Sequence, residues 1–184
     1  MTALASQGQL RASILRWSLF TVPACVLLGS LSGLAAGSGP GNPWFDSLVK
    51  PAIFPPTWLF GTIWPILFAL IGFALALVCA AWGARGRTAA IVSFVVLFAL
   101  LMAWSPIFFA LHQITAALVV LVAVVVMTLV TIALFWRVRK LAAVLMLPLL
   151  AWVSFATLLN YEFLRANPQA DGAEASQPVE RIAI

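Results

Sequence analysis

The chain has 184 residues, of which 64% are hydrophobic and 8% are charged. Its mean hydropathy of +1.12 leaves too little polar side-chain surface to cover a water-soluble globule. The net charge of +5 would suit nucleic acid, but the basic residues lie in small groups between apolar runs rather than along one solvated face. The composition therefore excludes a soluble globular domain, and we expect no nucleic-acid partner.

Five apolar runs follow one another along the chain: residues 17–36, 58–82, 89–111, 116–136 and 141–163. Each is long enough to cross a bilayer as a helix, and none alternates as the strands of a membrane barrel do. The first run is longer than the apolar core of a secretory signal, so we interpret it as a retained helix. The predicted fold class is all-α, an integral membrane bundle of five transmembrane helices.

The flanking segments and the basic residues predict the topology. Residues 1–16 are a cytoplasmic amino-terminal segment, residues 17–167 the transmembrane domain, and the polar residues 168–184 a disordered tail. One side of the predicted bundle carries more basic residues than the other: Arg11, Arg16, Arg85, Arg87, Arg137, Arg139 and Lys140 against Lys50, Arg165 and Arg181. By the positive-inside rule we expect, in a bacterial membrane, a cytoplasmic amino terminus and a carboxyl terminus on the far side.

The first connection, residues 37–57, is long for so compact a protein and is rich in Gly, Pro and Trp. Loops of this length are usually functional or disordered. Its apolar residues indicate that it packs as a lid over a site: Trp44, Phe45, Ile53 and Phe54.

Ionisable side chains are scarce where chemistry would need them. Ion-coupled transport generally uses ionisable groups at membrane depth, and the centres of the five runs contain none. The single histidine, His112, has no acidic residue near it in sequence, so we interpret it as an interfacial side chain. Ligation of haem by His112 is the alternative, although the sequence offers no obvious second axial ligand. Cys25 and Cys79 lack the spacing of a zinc site or a disulfide framework, and we assign no metal site.

The eight tryptophans are the distinctive feature of the chain. Four lie at the ends of runs, where amphipathic rings sit at headgroup level: Trp17, Trp58, Trp82 and Trp136. Three lie further inside and have apolar companions at helical spacing: Trp64 with Phe68, Trp104 with Phe108, and Trp152 with Phe155, Ala156 and Leu159. Such faces are typical of helix packing. The alternative is an aromatic-walled cavity for a flat apolar ligand, because large rings turned inward keep helices apart.

Three smaller signals accompany the tryptophans. A few polar side chains inside the runs could orient a ligand: Asn160, Ser105 and Ser154. Pro65 and Pro148 predict kinks that change how the neighbouring tryptophans are aimed. The spacing of Gly29 and Gly33 predicts a close helix contact, either inside the bundle, which we favour, or at a dimer face.

Four segments carry a family resemblance. They are Trp44 with the Lys50-Pro51 pair, PPTWLFGTIW at residues 55–64, WSPIFF at residues 104–109 and PLLAWVSFATLLNYEFLRAN at residues 148–167. They occur in the right order across four of the five predicted helices, and as a set they are highly specific. By these segments the chain resembles the tryptophan-rich sensory protein and mitochondrial translocator protein family, also called the peripheral benzodiazepine receptor family.

The resemblance implies a five-helix bundle, commonly a homodimer, with a pocket that binds tetrapyrroles such as protoporphyrin and haem and, in some members, sterols. With Asn160 added from the reasoning above, the expected ligand-binding residues are Trp64, Phe68, Trp104, Phe108, Trp152, Phe155, Ala156, Leu159 and Asn160. The tetrapyrrole is expected as a ligand, and no cofactor is required. The implied function is that of a membrane receptor or carrier with a sensory, regulatory or transport role. The alternative is an enzyme that degrades porphyrins with light, for which the sequence offers only the indoles of Trp64 and Trp152.

Two positions depart from the family pattern. Phe68 stands where the family usually has tyrosine, and Leu101 where it usually has asparagine, so both replacements remove polar groups from the expected pocket and favour more apolar ligands. Leu159, Tyr161 and Arg165 also fit a loose sterol-contact pattern. The structural interpretation of the same three residues is an ordinary helix end at the membrane interface.

Overall fold

The computed structural model describes residues 7–172. Its helices are α1 (Gln7–Ala35), the short α2 (Pro43–Ser47), α3 (Thr57–Cys79), α4 (Arg87–Ser105), α5 (Ile114–Val138), α6 (Lys140–Leu145) and α7 (Leu147–Ala166). A π-helical turn, Pro106–Ala110, continues α4, and a 3-10 turn, Pro168–Ala170, follows α7. Five helical segments are long and apolar enough to cross a membrane, and no strand occurs between residues 7 and 172. The predicted all-α fold with five membrane helices is confirmed.

The ends of the bundle differ from the sequence-based boundaries. Helix α1 begins at Gln7, so residues 7–16, predicted as a separate segment, belong to the first helix. The exposed Arg11 and Arg16 restrict which part of that helix can enter lipid, but they do not prevent helix formation. After α7, Asp171 accepts hydrogen bonds from the amide nitrogen of Thr115 at 3.1 Å and from its Oγ1 at 2.5 Å. Residues 168–172 of the predicted tail are therefore placed against α5, while residues 173–184 lie outside the described residues.

Three prolines of the spans, besides Pro23 inside α1, lie in different local structures. Pro65 lies inside α3, which runs without interruption from Thr57 to Cys79. The fifth span is divided at Met146, between α6 and α7. Pro148 lies in the first turn of α7, where a backbone N–H would have no carbonyl partner within the helix, so its missing N–H costs no hydrogen bond. Pro106 begins the π-helical turn, in which the amide of Leu111 donates to the carbonyl of Pro106 at 2.9 Å. The sequence-based analysis considered the first two prolines and missed the third.

Helices α1 and α3 are in close backbone contact at Gly72. A Cβ atom added there would lie 2.9 Å from both the carbonyl oxygen of Thr21 and the Cα of Val22. The hydroxyl of Thr21 also donates to the carbonyl oxygen of Gly72 at 2.8 Å. Small residues allow membrane helices to meet backbone to backbone, and this contact sets the spacing of the first two spans.

The buried residues form two clusters, one at each end of the bundle. The aliphatic cluster, away from α2, contains mostly aliphatic side chains, among them Ile71, Ala74, Val78, Leu97, Leu149 and Val153. The aromatic cluster, next to α2, is dominated by rings: Trp44, Phe45, Phe108, Phe109 and Phe163. The functional side chains predicted from the sequence lie where these two clusters meet.

Candidate functional site

A cavity of about 390 Å³ lies between the helices at the junction of the two clusters. All of the predicted ligand-binding residues except Phe155 line it: Trp64, Phe68, Trp104, Phe108, Trp152, Ala156, Leu159 and Asn160. The structure therefore brings together, from α3, α4 with its π-helical turn and α7, side chains that are up to 96 positions apart (Trp64 to Asn160) in the sequence. The volume lies in the range that small-molecule pockets occupy.

Stacked aromatic pairs make up much of the cavity wall. The ring centroids of Trp64 and Phe68 are 5.4 Å apart with an interplanar angle of 26°. Those of Trp104 and Phe108 are likewise 5.4 Å apart, at 25°. In each pair the two rings are four residues apart on a helix and thus share a face. Trp152 meets Trp64 edge to face, with centroids 6.4 Å apart, and so joins the fifth span to the second.

Phe155 contacts the wall from behind rather than lining the cavity. Its ring lies 5.6 Å from that of Trp152, centroid to centroid. In a helix of 3.6 residues per turn, Phe155 is displaced by about 60° from Trp152 in the direction opposite to Ala156. The helical spacing predicted the shared face correctly, but Phe155 lies at its edge.

Asn160 is almost fully buried, with 2% of its surface exposed. Its Oδ1 accepts a hydrogen bond from Nε1 of Trp104 at 3.3 Å, and its Nδ2 donates to the carbonyl oxygen of Ile114 at 3.0 Å. The amide thus links α7 to α4 and α5 and fixes one of the wall tryptophans. Ser105 also lines the cavity. Ser154 is exposed and donates to the carbonyl of Leu150 in its own helix, so it does not reach the site.

The indole N–H of Trp152 is buried among rings and has no hydrogen-bond partner within the described residues. The ring of Trp152 meets those of Phe60 and Trp64 at steep angles, 68° and 89°. These edge-to-face contacts pack the indole, and with it the N–H donor, into the aromatic wall. This donor is enclosed by the wall and is not presented to the cavity.

The connection between α1 and α3, residues 36–56, closes one end of the cavity as predicted, and we call it the lid. Phe45 and Phe54 of the lid line the cavity. Trp44 and Phe45 are buried, whereas Ile53, predicted to pack with them, is 41% exposed. The ring of Phe45 packs against that of Phe109 with centroids 5.2 Å apart.

Two asparagines attach the lid to the bundle. The side chain of Asn42 accepts from the amide of Phe45 at 3.0 Å, which caps α2, and its Nδ2 donates to the carbonyl of Phe109 at 3.2 Å. Asn167, just after α7, accepts from the amide of Val49 at 2.7 Å and donates to the carbonyl of Val49 at 3.0 Å. The lid therefore has a defined position over the aromatic cluster.

Lys50 is the basic residue of the lid, and its ammonium group is held within it. Nζ lies 4.1 Å from the centroid of the Phe45 ring and donates to the carbonyls of Phe45 and Leu48. Burial lowers the pKa of Lys50, and the neighbouring carboxylate of Asp46 opposes that shift. The ammonium group thus stabilises the lid rather than facing the cavity.

His112 lies beside the lid and outside the cavity wall. Its imidazole stacks on the indole of Trp44, with centroids 4.5 Å apart and planes 20° apart. Its φ of 56° places the backbone in the left-handed region, and its carbonyl accepts from the amide of Gly172 at 2.8 Å. Within residues 7–172 no group of three His, Cys, Asp or Glu side chains could hold a metal ion. These contacts match the interfacial interpretation of His112 better than haem ligation.

The three residues of the sterol-contact pattern do not share one surface. Leu159 is buried and lines the cavity, whereas Tyr161 is 46% exposed on the outside of α7. Arg165 is paired with Glu162 at 3.3 Å and lies 5.9 Å from the centroid of the Tyr161 ring. The structure supports the helix-end interpretation for Tyr161 and Arg165.

Helix α1 contributes a wall that the sequence-based site did not include. Gly29, Ser30 and Gly33 line the cavity. A Cβ atom on Gly29 would overlap the ring of Phe68, so this glycine serves a contact inside the bundle. The Gly29-Gly33 spacing was the available signal for this wall. From α3, Phe60 was also missed, although it lies four residues before Trp64.

Several known proteins are similar to this chain in sequence. The model of the TspO/MBR family matches residues 21–165. The chain is 36% identical over 154 residues to the tryptophan-rich protein TspO of Chlorobaculum tepidum, covering 82% of this chain and 98% of that protein. It is 36% identical over 142 residues to the translocator protein of Homo sapiens, with 76% and 84% of the two chains covered. The tryptophan-rich sensory protein of Cereibacter sphaeroides is 33% identical over 124 residues, with 67% and 77% covered.

Proposed function

Because the chain belongs to the TspO/MBR family of integral membrane proteins, we propose that it is a membrane receptor or carrier that binds a tetrapyrrole in its aromatic cavity. The observation that carries the proposal is the meeting of Trp64, Trp104 and Trp152 around one cavity of about 390 Å³. Flat conjugated ligands pack well against such rings, by offset stacking or edge-to-face contact. Porphyrins are ligands of this kind, and sterols are the second class to be tested.

The role attached to this binding is sensory, regulatory or transport. Two relatives are named as a translocator protein and a sensory protein, and both names favour a receptor or carrier. The lid, attached through Asn42 and Asn167, gives the site an element that can be opened to admit and release a ligand. We place the amino terminus in the cytoplasm, and reporter fusions at the two termini test that orientation.

A homodimer in a lipid membrane is part of the proposal. Large apolar side chains are exposed on the outer faces of several helices, including Leu19 of α1, Val95 of α4 and Val126 of α5. Such surfaces suit contact with lipid or with a second copy of the chain. Native mass spectrometry of the protein released from lipid nanodiscs distinguishes a monomer from a dimer.

Porphyrin degradation is the competing function, and the contact between Trp64 and Trp152 is the feature that would serve it. Among residues 7–172 the wall supplies no acid or base to accompany these indoles, because no residue that lines it has an ionisable side chain. We therefore favour binding over catalysis. Recovery of intact porphyrin after incubation with the protein in light and in darkness supports this choice, and a time-dependent loss of porphyrin would reverse it.

The test of binding uses purified protein in lipid nanodiscs, titrated with protoporphyrin IX, its dimethyl ester and cholesterol. Trp64→Ala and Trp152→Ala should each weaken saturable porphyrin binding by about tenfold or more, because each removes a ring from the wall. Trp58→Ala is the matched control, since Trp58 lies on the same helix as Trp64 but is 67% exposed and outside the wall. Equal binding by all four proteins would exclude the cavity as the site.

A further inference from the structure

Resting on the proposed function, we infer that the cavity selects an uncharged flat ligand over one that carries carboxylates. For porphyrins, this means that a form whose carboxylates are esterified or absent binds more tightly than the dicarboxylate. The charge and the hydrogen bonding of the cavity wall set this preference.

No residue that lines the cavity, within the described chain, has an ionisable side chain. The wall is made of rings, aliphatic side chains, glycines and a few hydroxyl or amide groups. Leu101 of α4 and Phe68 of α3, which are 6% and 5% exposed, fill two wall positions with purely apolar groups. A carboxylate placed there would lose its hydration without gaining a cation, which is among the most costly forms of burial.

The strong hydrogen-bond donors of the wall are already used or enclosed. The indole N–H of Trp104 donates to Asn160, whose own amide donates to the carbonyl of Ile114. The indole N–H of Trp152 is buried among rings. The hydroxyl of Ser32 donates to the carbonyl of Met102 at 2.8 Å. Because these donors are already bonded or buried, the wall has few N–H or O–H groups left for an anion, which needs several convergent or charged donors.

What the wall can offer are neutral hydroxyl groups. Ser30 of α1, Ser38 of the lid and Ser105 of α4 line the cavity. A hydroxyl group can donate to, or accept from, a carbonyl, ester, ether or hydroxyl group of a ligand. Such neutral pairs orient a ligand without the cost of burying a charge. The polar groups of the wall therefore match an uncharged ligand with one or a few oxygen atoms.

Lys50 is the residue most able to contradict this inference, because it carries a positive charge on the lid. Its ammonium group already bonds two lid carbonyls and lies over the ring of Phe45. Pairing with a ligand carboxylate would require these contacts to be given up. We therefore expect Lys50 to hold the lid and not to serve as a counter-ion for the ligand.

The first experiment compares protoporphyrin IX with its dimethyl ester on the unmodified protein in nanodiscs at neutral pH, with binding to empty nanodiscs subtracted. The ester should bind about tenfold more tightly or better. The ester is the bulkier molecule, so size alone would give the opposite order. Equal or tighter binding of the dicarboxylate would overturn the inference. If neither ligand depends on Trp64 and Trp152, the proposed function itself fails, whereas equal binding that does depend on them refutes only the charge preference.

Three variants test whether the preference arises from the wall or from the lid. Leu101→Asn adds an amide to the wall and should narrow the difference between the two porphyrins, whereas Leu101→Met, which stays apolar, should preserve it. Lys50→Met should leave the ratio of the ester and dicarboxylate affinities unchanged, even where loosening of the lid changes both affinities. Selective loss of the dicarboxylate in Lys50→Met would show that the lid recognises carboxylates and would overturn the inference. The affinity for the ester, measured on every variant, reports whether the cavity is still formed.

Discussion

The two ends of the bundle are packed with different side chains. In the aliphatic cluster, Ala74, Val78 and Leu149 are fully buried, and the helices close around small and branched groups. In the aromatic cluster, Phe108 and Phe163 are nearly as buried, but rings that meet edge to face leave space between helices. Close approach of membrane helices needs small residues, and large rings prevent it. The difference explains why the cavity lies at the junction, where the rings begin.

The two ends are also held together by different forces. Around Gly72 the first two spans are in direct backbone contact. Around the cavity, hydrogen bonds from asparagine side chains connect elements that the rings keep apart, as Asn160 does for α7, α4 and α5 and Asn167 does for the lid. We therefore expect a substitution in the backbone contact of α1 and α3 to lower global stability most, whereas substitutions around the cavity lower it less and also act on the site or its lid.

The largest expected effect is that of Gly72→Ala. The added Cβ would lie 2.9 Å from backbone atoms of α1, which cannot move aside as a flexible side chain can. The free energy of unfolding should fall by about 3 kcal/mol, as for severe overpacking. Thermal unfolding in detergent, followed by circular dichroism, measures it. Gly61→Ala, in the same helix, is the control, because beyond its chain neighbours and its own helical backbone no described atom lies within 4 Å of the added Cβ. Equal stability of the two variants would contradict the close contact between α1 and α3.

Asn160→Leu should have the next largest effect, a loss of about 1–2 kcal/mol in the free energy of unfolding. The substitution replaces the amide with an apolar side chain of similar branching and leaves the indole N–H of Trp104 without its partner. The same unfolding measurement applies, with tryptophan fluorescence reporting the changed surroundings of the indole. Ser154→Ala, on the exposed side of α7, should change stability by no more than about 0.5 kcal/mol. A loss no larger than in Ser154→Ala would mean that Asn160 does not join the three helices.

Asn167→Ala should act on the lid and only slightly on global stability. It removes both hydrogen bonds to Val49, so local opening of the lid should become easier by about 1–2 kcal/mol. Hydrogen exchange of the Phe45 and Asp46 amides, whose own bonds lie within and next to α2, measures this opening and should accelerate by about tenfold. Gln169→Ala, at an exposed position just beyond, is the control. Unchanged exchange in Asn167→Ala would show that the lid is held by its rings alone.

The number, order and approximate extent of the five spans could be predicted, because apolar runs of this length leave few other structures in a membrane. The stacked pairs at Trp64 and Trp104 were predictable for a similar reason, since residues four apart share a helix face. The attachment of the lid to the bundle could not be predicted from the sequence. Asn42 and Asn167 bond to backbone groups of Phe109 and Val49, 67 and 118 positions away in the sequence, and neither bond leaves a periodic signal.

Local helix geometry set a second limit to prediction. The π-helical turn at Pro106 was not predicted, because a regular helical repeat does not include such a turn. The sterol-contact pattern failed as a geometric unit for a related reason. Leu159 and Tyr161 are two residues apart, which places them about 200° apart around a helix. A linear pattern does not specify which of its residues face the same way.

The smallest expected effect belongs to a variant that tests whether Tyr161 and Arg165, on the outside of α7, take part in ligand binding as Leu159 does. Tyr161→Phe combined with Arg165→Gln removes the polar groups of the exposed part of the pattern, and affinity for the porphyrin ester should change by no more than about twofold, because exposed pairs contribute little. Leu159→Ala removes part of the cavity wall and so should weaken binding of the same ester by about tenfold. Both variants are measured in nanodiscs without added sterol, so that a sterol bound outside α7 cannot alter the result. If the double variant loses as much affinity as Leu159→Ala, the outer face of α7 belongs to the ligand site, and the assignment of the site to the cavity wall alone is wrong.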